Sequence, residues 1–465
     1  MTDQTDFHRR DFLRLLTVLP WSALLRKQEE KESLRWKVGI GRRIITPKTK
    51  VWLAGYGYKR IPYGKVHDLY VKVVALKDAS GSVVVLATTD HQGMSKTVYE
   101  SIYQKVYQLF GVVRKRFMLT FSHNHSGPRL TEDLQDYYPV DESQEQLVDE
   151  YSDWMGDQIA EAVGEALDNW QDAYLYESTG TCTFAVNRRE NVESEVEEIR
   201  ATGQKLKGPV DHDVPVLAIK GSSGNLIAVL FGYACHPTTI SYNTWSGDYP
   251  GFAQINLEKA YPGMAAMFFN ACGGDQNPIP RRSMAYCKKY GSMLAQAVEA
   301  VLSGNMEPIR SHIGTGFEYV ALKYEELATR ETLLPIANGD RKLSARWARR
   351  MLKRLEEGVV FESHYDYPVQ AWMLGKELLF IGIGGEAVVD YSLRFKKEYN
   401  QQTTWVCGYA NQMAAYIPSR RVWEEGGYEG GPHLDEYGHP AWRWAGDVEE
   451  RIARTVRNVV TQARQ

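Results

Sequence analysis

Beyond residue 33 the chain alternates between short, nearly continuous apolar runs and longer segments carrying a single apolar stripe. The runs Val71–Leu76, Val83–Thr89, Phe117–Ser122, Val214–Lys220, Leu226–Ala234, Met264–Asn270, Glu377–Ile383 and Thr404–Tyr409 predict strands. Most are apolar at nearly every position, as in a sheet covered on both faces. Helices are predicted over Ser95–Phe110, Gln146–Asn169, Met284–Leu302, Ala345–Glu357, Val388–Tyr399 and Gly446–Ala463. In the second of these, Leu147, Tyr151, Met155, Ile159, Val163 and Leu167 fall every fourth residue and form a core-facing stripe. The charged stretches Asn191–Lys207 and Arg341–Glu357 read as surface insertions. No repeat, low-complexity tract or Gly/Ser/Pro linker divides the chain. Residues 34–465 therefore predict one α/β domain, a mixed sheet or sheets flanked by helices, with the active site at strand C-terminal ends.

Charge and composition narrow the function classes. A formal net charge of −3 over 465 residues gives no basic field for nucleic acid. No apolar run reaches the ~20 residues of a transmembrane span. Residues 1–33 differ from the rest: His8-Arg9-Arg10-Asp11-Phe12-Leu13-Arg14 precedes an apolar stretch from Leu15 to Leu25 and a charged run from Arg26 to Glu32. This resembles a twin-arginine export signal and predicts a periplasmic or extracellular protein. Pro20 interrupts the apolar stretch and no Ala-x-Ala site follows, so a basic amphipathic helix is the alternative. Five cysteines, Cys182, Cys235, Cys272, Cys287 and Cys407, lack C-x-x-C spacing, which argues against a cysteine zinc site and leaves room for one or two disulfides.

Several predicted strands end in residues able to do chemistry. Phe121-Ser122-His123-Asn124-His125-Ser126-Gly127-Pro128 closes one run. Side chains alternate along a strand, so His123 and His125 are expected on one face, where they could serve as a zinc ligand and its neighbour or as two ligands. His236-Pro237 closes the next, and Gly273-Gly274-Asp275-Gln276-Asn277-Pro278 is a glycine-rich turn bearing a carboxylate. Gly384-Gly385-Glu386 follows a third run, and Asn411 to Tyr416 follows a fourth. Singly, each has an ordinary reading: a core histidine, a capping acid, a packed phenol. Together they lie where open α/β sheets assemble sites.

The order and local context of these segments resemble the neutral (non-lysosomal) ceramidases, zinc amidases that cleave the N-acyl bond of ceramide. The likeness runs from Val38-Gly39-Ile40-Gly41 and Thr46-Pro47, through Gly55-Tyr56 and Val66-His67-Asp68-Leu69-Tyr70, to the C-terminal helix. It implies one zinc per chain, held by His123, His236, Glu386 and Tyr416. It also implies that His125 lines the site, that Asn187-Arg188 holds the substrate carbonyl, and that Tyr428 is a second active-site tyrosine. The family's Gly-Asp-x-Ser-Pro-Asn turn carries a serine treated as catalytic, whereas Asn277 stands there in this chain. An asparagine is no nucleophile, though its amide can hydrogen-bond a substrate or oxyanion. The family's Pro-Gly-Glu is Gly384-Gly385-Glu386 here, and the C-terminal β-sandwich of true ceramidases is expected to be absent.

The resulting expectation is a one-zinc hydrolase that cleaves an amide with metal-activated water. Arg188 and Tyr428 would stabilise the oxyanion, and His125 or Asp275 would move the proton. For Asp275 a local turn cap is the competing role, and for Arg188 a surface salt bridge with Glu190 or Glu193. An ester or lactone hydrolase acting on a sugar or small acyl substrate is the second reading, with Trp245, Tyr242, Trp372, Trp423 and Tyr428 available for stacking. A binding protein that has lost turnover is the third. The partner expected is a small-molecule or lipid-like acyl substrate.

Overall fold

The structure, a computed structural model, describes residues 32–465. The arginine pair of the export-signal reading, Arg9 and Arg10, lies outside the described residues.

The larger sheet contains β1 (Trp36–Ile44), β2 (Tyr70–Lys77), β3 (Val83–Thr89), β4 (Phe117–Phe121) and β5 (Gln171–Thr181). A short strand, β6 (Ala185–Asn187), leaves that sheet before β7 (Asp213–Gly221), β8 (Leu226–Tyr233) and β9 (Ala265–Asn270) rejoin it. Its order is β4-β3-β2-β1-β5-β7-β8-β9, parallel at β3/β4 and β8/β9 and antiparallel elsewhere along this path. After β10 (Gln276–Pro278), which pairs with β6, and β11 (Glu307–Ile309), which pairs with β5, a second sheet is built. Its strands are β12 (Ile313–Lys323), β13 (His364–Leu374) and β14 (Leu378–Ile383), then β16 (Thr404–Cys407) beyond the two-residue β15 (Glu386–Ala387). The last strand, β17 (Tyr416–Ile417), pairs in parallel with β15.

The two sheets pack face to face, with helices on both outer faces. Successive side chains show this directly. In β2, Val71, Val73 and Ala75 join the helices Lys96–Phe110 and Glu142–Asp168 in one core, while Val74 and Leu76 join a second core shared with Trp372, Phe380 and Trp405 of the other sheet. In β8, Val229, Phe231 and Tyr233 face the helices Asp248–Ala260 and Met284–Ser303, and Ala228 and Leu230 face the sheet interface. In β14, Leu379, Ile381 and Ile383 pack toward the helix Val448–Arg464, and Leu378 and Phe380 pack inward. Strands buried on both faces need apolar residues at every position, which explains the unbroken runs.

The outer helices lie unusually close to their sheets at two matching places. A Cβ on Gly39 or Gly41 of β1 would stand 1.7 or 1.9 Å from the carbonyl oxygens of Ala166 and Ala162 in the helix Glu142–Asp168. On Gly314 or Gly316 of β12 it would stand 1.7 or 2.1 Å from those of Ala463 and Val459. Only glycine fits a strand pressed against helix backbone in this way. All five cysteines are buried and free, so no disulfide staples the fold. Among the described residues, no helix is long and apolar enough to cross a membrane.

Candidate metal centre

The site gathers where β4, β8, β9 and β14 end. β4 stops at Phe121, and His123 then adopts a left-handed φ of 63°. Strand alternation is therefore not what brings the two histidines together; the turn does, and it leaves Nε2 of His125 3.3 Å from Nε2 of His123. The His123 backbone N–H donates to the His91 carbonyl at 2.8 Å, which holds that turn against β3. His236 follows β8, its N–H donating to the Gln276 carbonyl at 3.0 Å. Glu386 and Tyr416 are register partners in the β15/β17 pair, so one ladder sets the carboxylate and the phenol side by side. Asn411, at φ 64°, anchors the segment leading to Tyr416: its side chain accepts from the Leu119 N–H at 3.1 Å and donates to Gln370 at 3.0 Å.

Donor atoms converge without protons between them. Nδ1 of His123 lies 2.6 Å from the Gln92 carbonyl, and Nδ1 of His236 lies 2.7 Å from the Gly273 carbonyl. A carbonyl only accepts, so each Nδ1 carries the proton and a neutral ring turns its Nε2 lone pair inward. Both lone pairs meet the same carboxylate oxygen: Oε2 of Glu386 is 3.1 Å from Nε2 of His123 and 2.9 Å from Nε2 of His236. The Tyr416 hydroxyl is 3.4 Å from Nε2 of His236. Ligands bonded at ~2.0–2.1 Å to a tetrahedral ion stand ~3.3 Å apart, and these separations fit that edge. Burial pushes His236 down to about 4, the Arg188 cation adding to the effect, so its ring is neutral at pH 7. Three histidines, His123, His125 and His236, have ligand atoms within 4.8 Å of one another and could hold a metal ion.

A second ring of residues surrounds these donors. Arg188 donates from Nη2 to the Tyr416 hydroxyl at 2.9 Å and from Nη1 to Oδ1 of Asn277 at 3.4 Å. Its ion-pair partner is neither Glu190 nor Glu193 but the buried Glu429, at 2.8 Å; Glu193 instead holds Arg281. Asp275 is fully engaged. Oδ1 accepts from the Val389 N–H and the Gln276 amide, and Oδ2 accepts from Asn187. Burial pushes this carboxyl up to about 6. Tyr428 packs its ring 5.1 Å from that of Tyr416 and donates its hydroxyl to Glu436 at 3.0 Å. A cavity of about 650 Å³ opens above Arg188, Asn277 and Tyr428.

Other site residues escaped the sequence reading. Glu429 binds both Arg188 and Arg189, and Tyr437 donates its hydroxyl to Oε1 of Glu386 at 2.5 Å. Tyr409 lays its ring 4.6 Å from that of His123, and Tyr56 meets His125 edge-on at 5.0 Å. Glycines flanking Glu429 mark an irregular segment in the sequence, but nothing there ties it to Arg188. Of the aromatics expected to stack on substrate, Trp372 is buried between the sheets, Trp245 is buried in the helix-side core, and Trp423 donates to the Trp444 carbonyl; Tyr428 alone of the five lines the cavity.

Comparison with known proteins agrees with this architecture. No curated protein matches the chain. Among solved structures, the neutral ceramidase of Pseudomonas aeruginosa aligns with a TM-score of 0.67, covering 91% of this chain and 75% of that one at 17% identity. A ceramidase complexed with C2 aligns with a TM-score of 0.68, covering 91% and 74% at 16% identity. At such identities these likenesses speak for the fold. The sequence model of the neutral/alkaline non-lysosomal ceramidases, N-terminal region, matches residues 36–329, well over half of the chain, and the protein belongs to this family of ceramidase-like hydrolases.

Proposed function

We propose that this protein is a zinc-dependent hydrolase that cleaves an N-acyl bond, with His123, His236, Glu386 and Tyr416 as the ligands. One observation carries the reading: two histidine lone pairs and a carboxylate oxygen face one another at 2.9–3.1 Å in a buried site. Three acceptors at that distance repel unless a cation lies among them. Bound there, zinc would supply Lewis acidity, polarising an acyl oxygen and bringing the pKa of a water from ~15.7 toward ~7. Arg188, steered by Glu429, donates to the developing oxyanion beside the Asn277 amide, a role worth ~3–4 kcal/mol per donor. His125, whose Nδ1 has no protein partner, carries a proton from the attacking water to the leaving nitrogen. Asn277 is compatible with this chemistry because the water, not a side-chain hydroxyl, is the nucleophile.

Metal analysis of purified protein tests the proposal. About one zinc per chain is expected, and His236→Ala should lose both the metal and chelator-sensitive turnover. Full activity in a metal-free preparation overturns it. We further propose that the chain is exported by the twin-arginine route, on the strength of Arg9-Arg10-Asp11-Phe12-Leu13.

A further inference from the structure

The cavity beside the metal centre has walls of an unexpected kind. Arg281 holds Glu193 at 2.7 Å, Arg189 holds Glu429 at 2.7 Å and Glu425 at 3.0 Å, and Arg188 holds Glu429 at 2.8 Å; all of them line it. Ile279 is the one aliphatic side chain at its wall and is 1% exposed, so it offers almost no apolar surface. Its exposed aromatic side chain is Tyr428, 49% accessible, on one side. Arg188 links this cavity to the centre through the Tyr416 hydroxyl.

An alkyl chain seated here would strip water from paired guanidinium and carboxylate groups and return no hydrogen bond. An anionic group finds no surplus of positive charge, because Arg188, Arg189 and Arg281 face Glu190, Glu193, Glu425 and Glu429. Neutral hydroxyls fit both partners, since each accepts from a guanidinium and donates to a carboxylate. Asn277, whose side-chain oxygen accepts from Arg188, brings an amide to the cavity as well. A sugar ring also presents an apolar face suited to stacking on Tyr428. At about 650 Å³ the cavity falls in the ~300–1,000 Å³ range of small-molecule sites.

We propose that the substrate moiety held beside the centre is neutral and polyhydroxylated, a sugar bearing the acyl group, rather than a lipid chain. The inference rests on the hydrolase reading above, and the experiment separates the two. The zinc-loaded protein is titrated calorimetrically with N-acetylglucosamine, N-acetylgalactosamine, N,N′-diacetylchitobiose and C6 ceramide. The same compounds are tested as substrates, and as inhibitors of p-nitrophenyl acetate hydrolysis, each with and without chelator. An acetylated sugar should bind at least tenfold more tightly than C6 ceramide and inhibit the chelator-sensitive ester turnover. Glu193→Met combined with Arg281→Met makes one wall apolar and should lower the sugar-to-ceramide affinity ratio at least tenfold, a ratio that partial misfolding leaves unmoved. Tighter ceramide binding with chelator-sensitive turnover overturns the sugar inference and leaves the hydrolase reading standing. Sugar binding without chelator-sensitive turnover of any compound does the reverse. Binding of no acetylated sugar overturns the inference.

Discussion

Glu386→Gln offers a test of the metal centre whose sign is not intuitive. With the metal chelated, Oε2 of Glu386 would be left facing two inward lone pairs while Oε1 accepts from Tyr437. A glutamine in the same pose keeps its oxygen on Tyr437 and turns an NH₂ group toward both histidines, converting a clash of acceptors into two hydrogen bonds. At ~0.5–1.5 kcal/mol each, these should stabilise the chelated variant by ~1–3 kcal/mol over chelated wild type. Unfolding entropy of ~2.1 cal/mol/K per residue makes ~1 kcal/mol equivalent to ~1 °C in a domain of this size, so the chelated variant should melt ~1–3 °C higher. Zinc should act oppositely. At a hundredfold excess over Kd it stabilises wild type by ~2.7 kcal/mol, about 3 °C, and a variant without the carboxylate should gain little. Thermal melts near pH 8 with chelator and with zinc, alongside metal quantification, read both effects. A chelated variant melting below chelated wild type would show that no acceptor clash exists, and a variant keeping the full zinc shift would remove Glu386 from the ligand set.

Glu429→Gln removes the charge that steers Arg188 without touching a proposed ligand; kcat should fall ~10²–10³-fold at unchanged zinc content, and loss of the metal would show that Glu429 acts on the centre itself. Asn277→Ser should not by itself create a ceramidase, and chelator-sensitive ceramide cleavage with kcat/KM above ~10⁴ M⁻¹s⁻¹ in either form would overturn that expectation. Changing Arg9 and Arg10 together to lysine should hold the protein inside the cell with an unprocessed N-terminus; normal cytoplasmic accumulation of the unmodified wild type would remove the export reading.

The strands legible in the sequence are those buried on both faces. β2, β3, β4, β7, β8, β9, β14 and β16 lie within a residue or two of their apolar runs. β1, β5, β12 and β13 were not legible, for reasons that differ. β1 and β12 give up side chains at Gly39, Gly41, Gly314 and Gly316 so that helices can lie against them, which breaks the hydrophobic run. β5 keeps many positions half-exposed, and β13 opens with the polar His364 and Asp366 before its apolar run. The helix Asp248–Ala260 carries Pro250 and Gly251 in its first turn, residues that read as a loop although proline is tolerated there. Of the site, His123, His236, Glu386 and Tyr416 were named from the sequence, through the apolar runs they follow and the resemblance to the ceramidases, and the structure brings the four side chains together. Glu429 and Tyr437 were not, because they reach the centre from a segment with no period.

What the sequence hides is concentrated where the backbone is strained. Among the described residues, His123, Glu132, Leu134, Asp248, Arg282 and Asn411 are non-glycine residues with positive φ, a conformation costing of order 1–3 kcal/mol each. Local propensity favours His, Asp and Asn at positive φ but does not say which of them adopt it, because the contacts that decide it are made elsewhere in the chain. His123 is held by the carbonyl of His91, Asn411 by the backbone of Leu119 and the amide of Gln370, and Asp248 by accepting the backbone N–H of Ile240. Two of the three bear directly on the donor cluster, His123 by contributing a ring and Asn411 by anchoring the approach to Tyr416. The same contacts also position the donor atoms of the site. A site so held loses little freedom on binding a metal, and relaxing one anchor should weaken metal binding without removing a ligand.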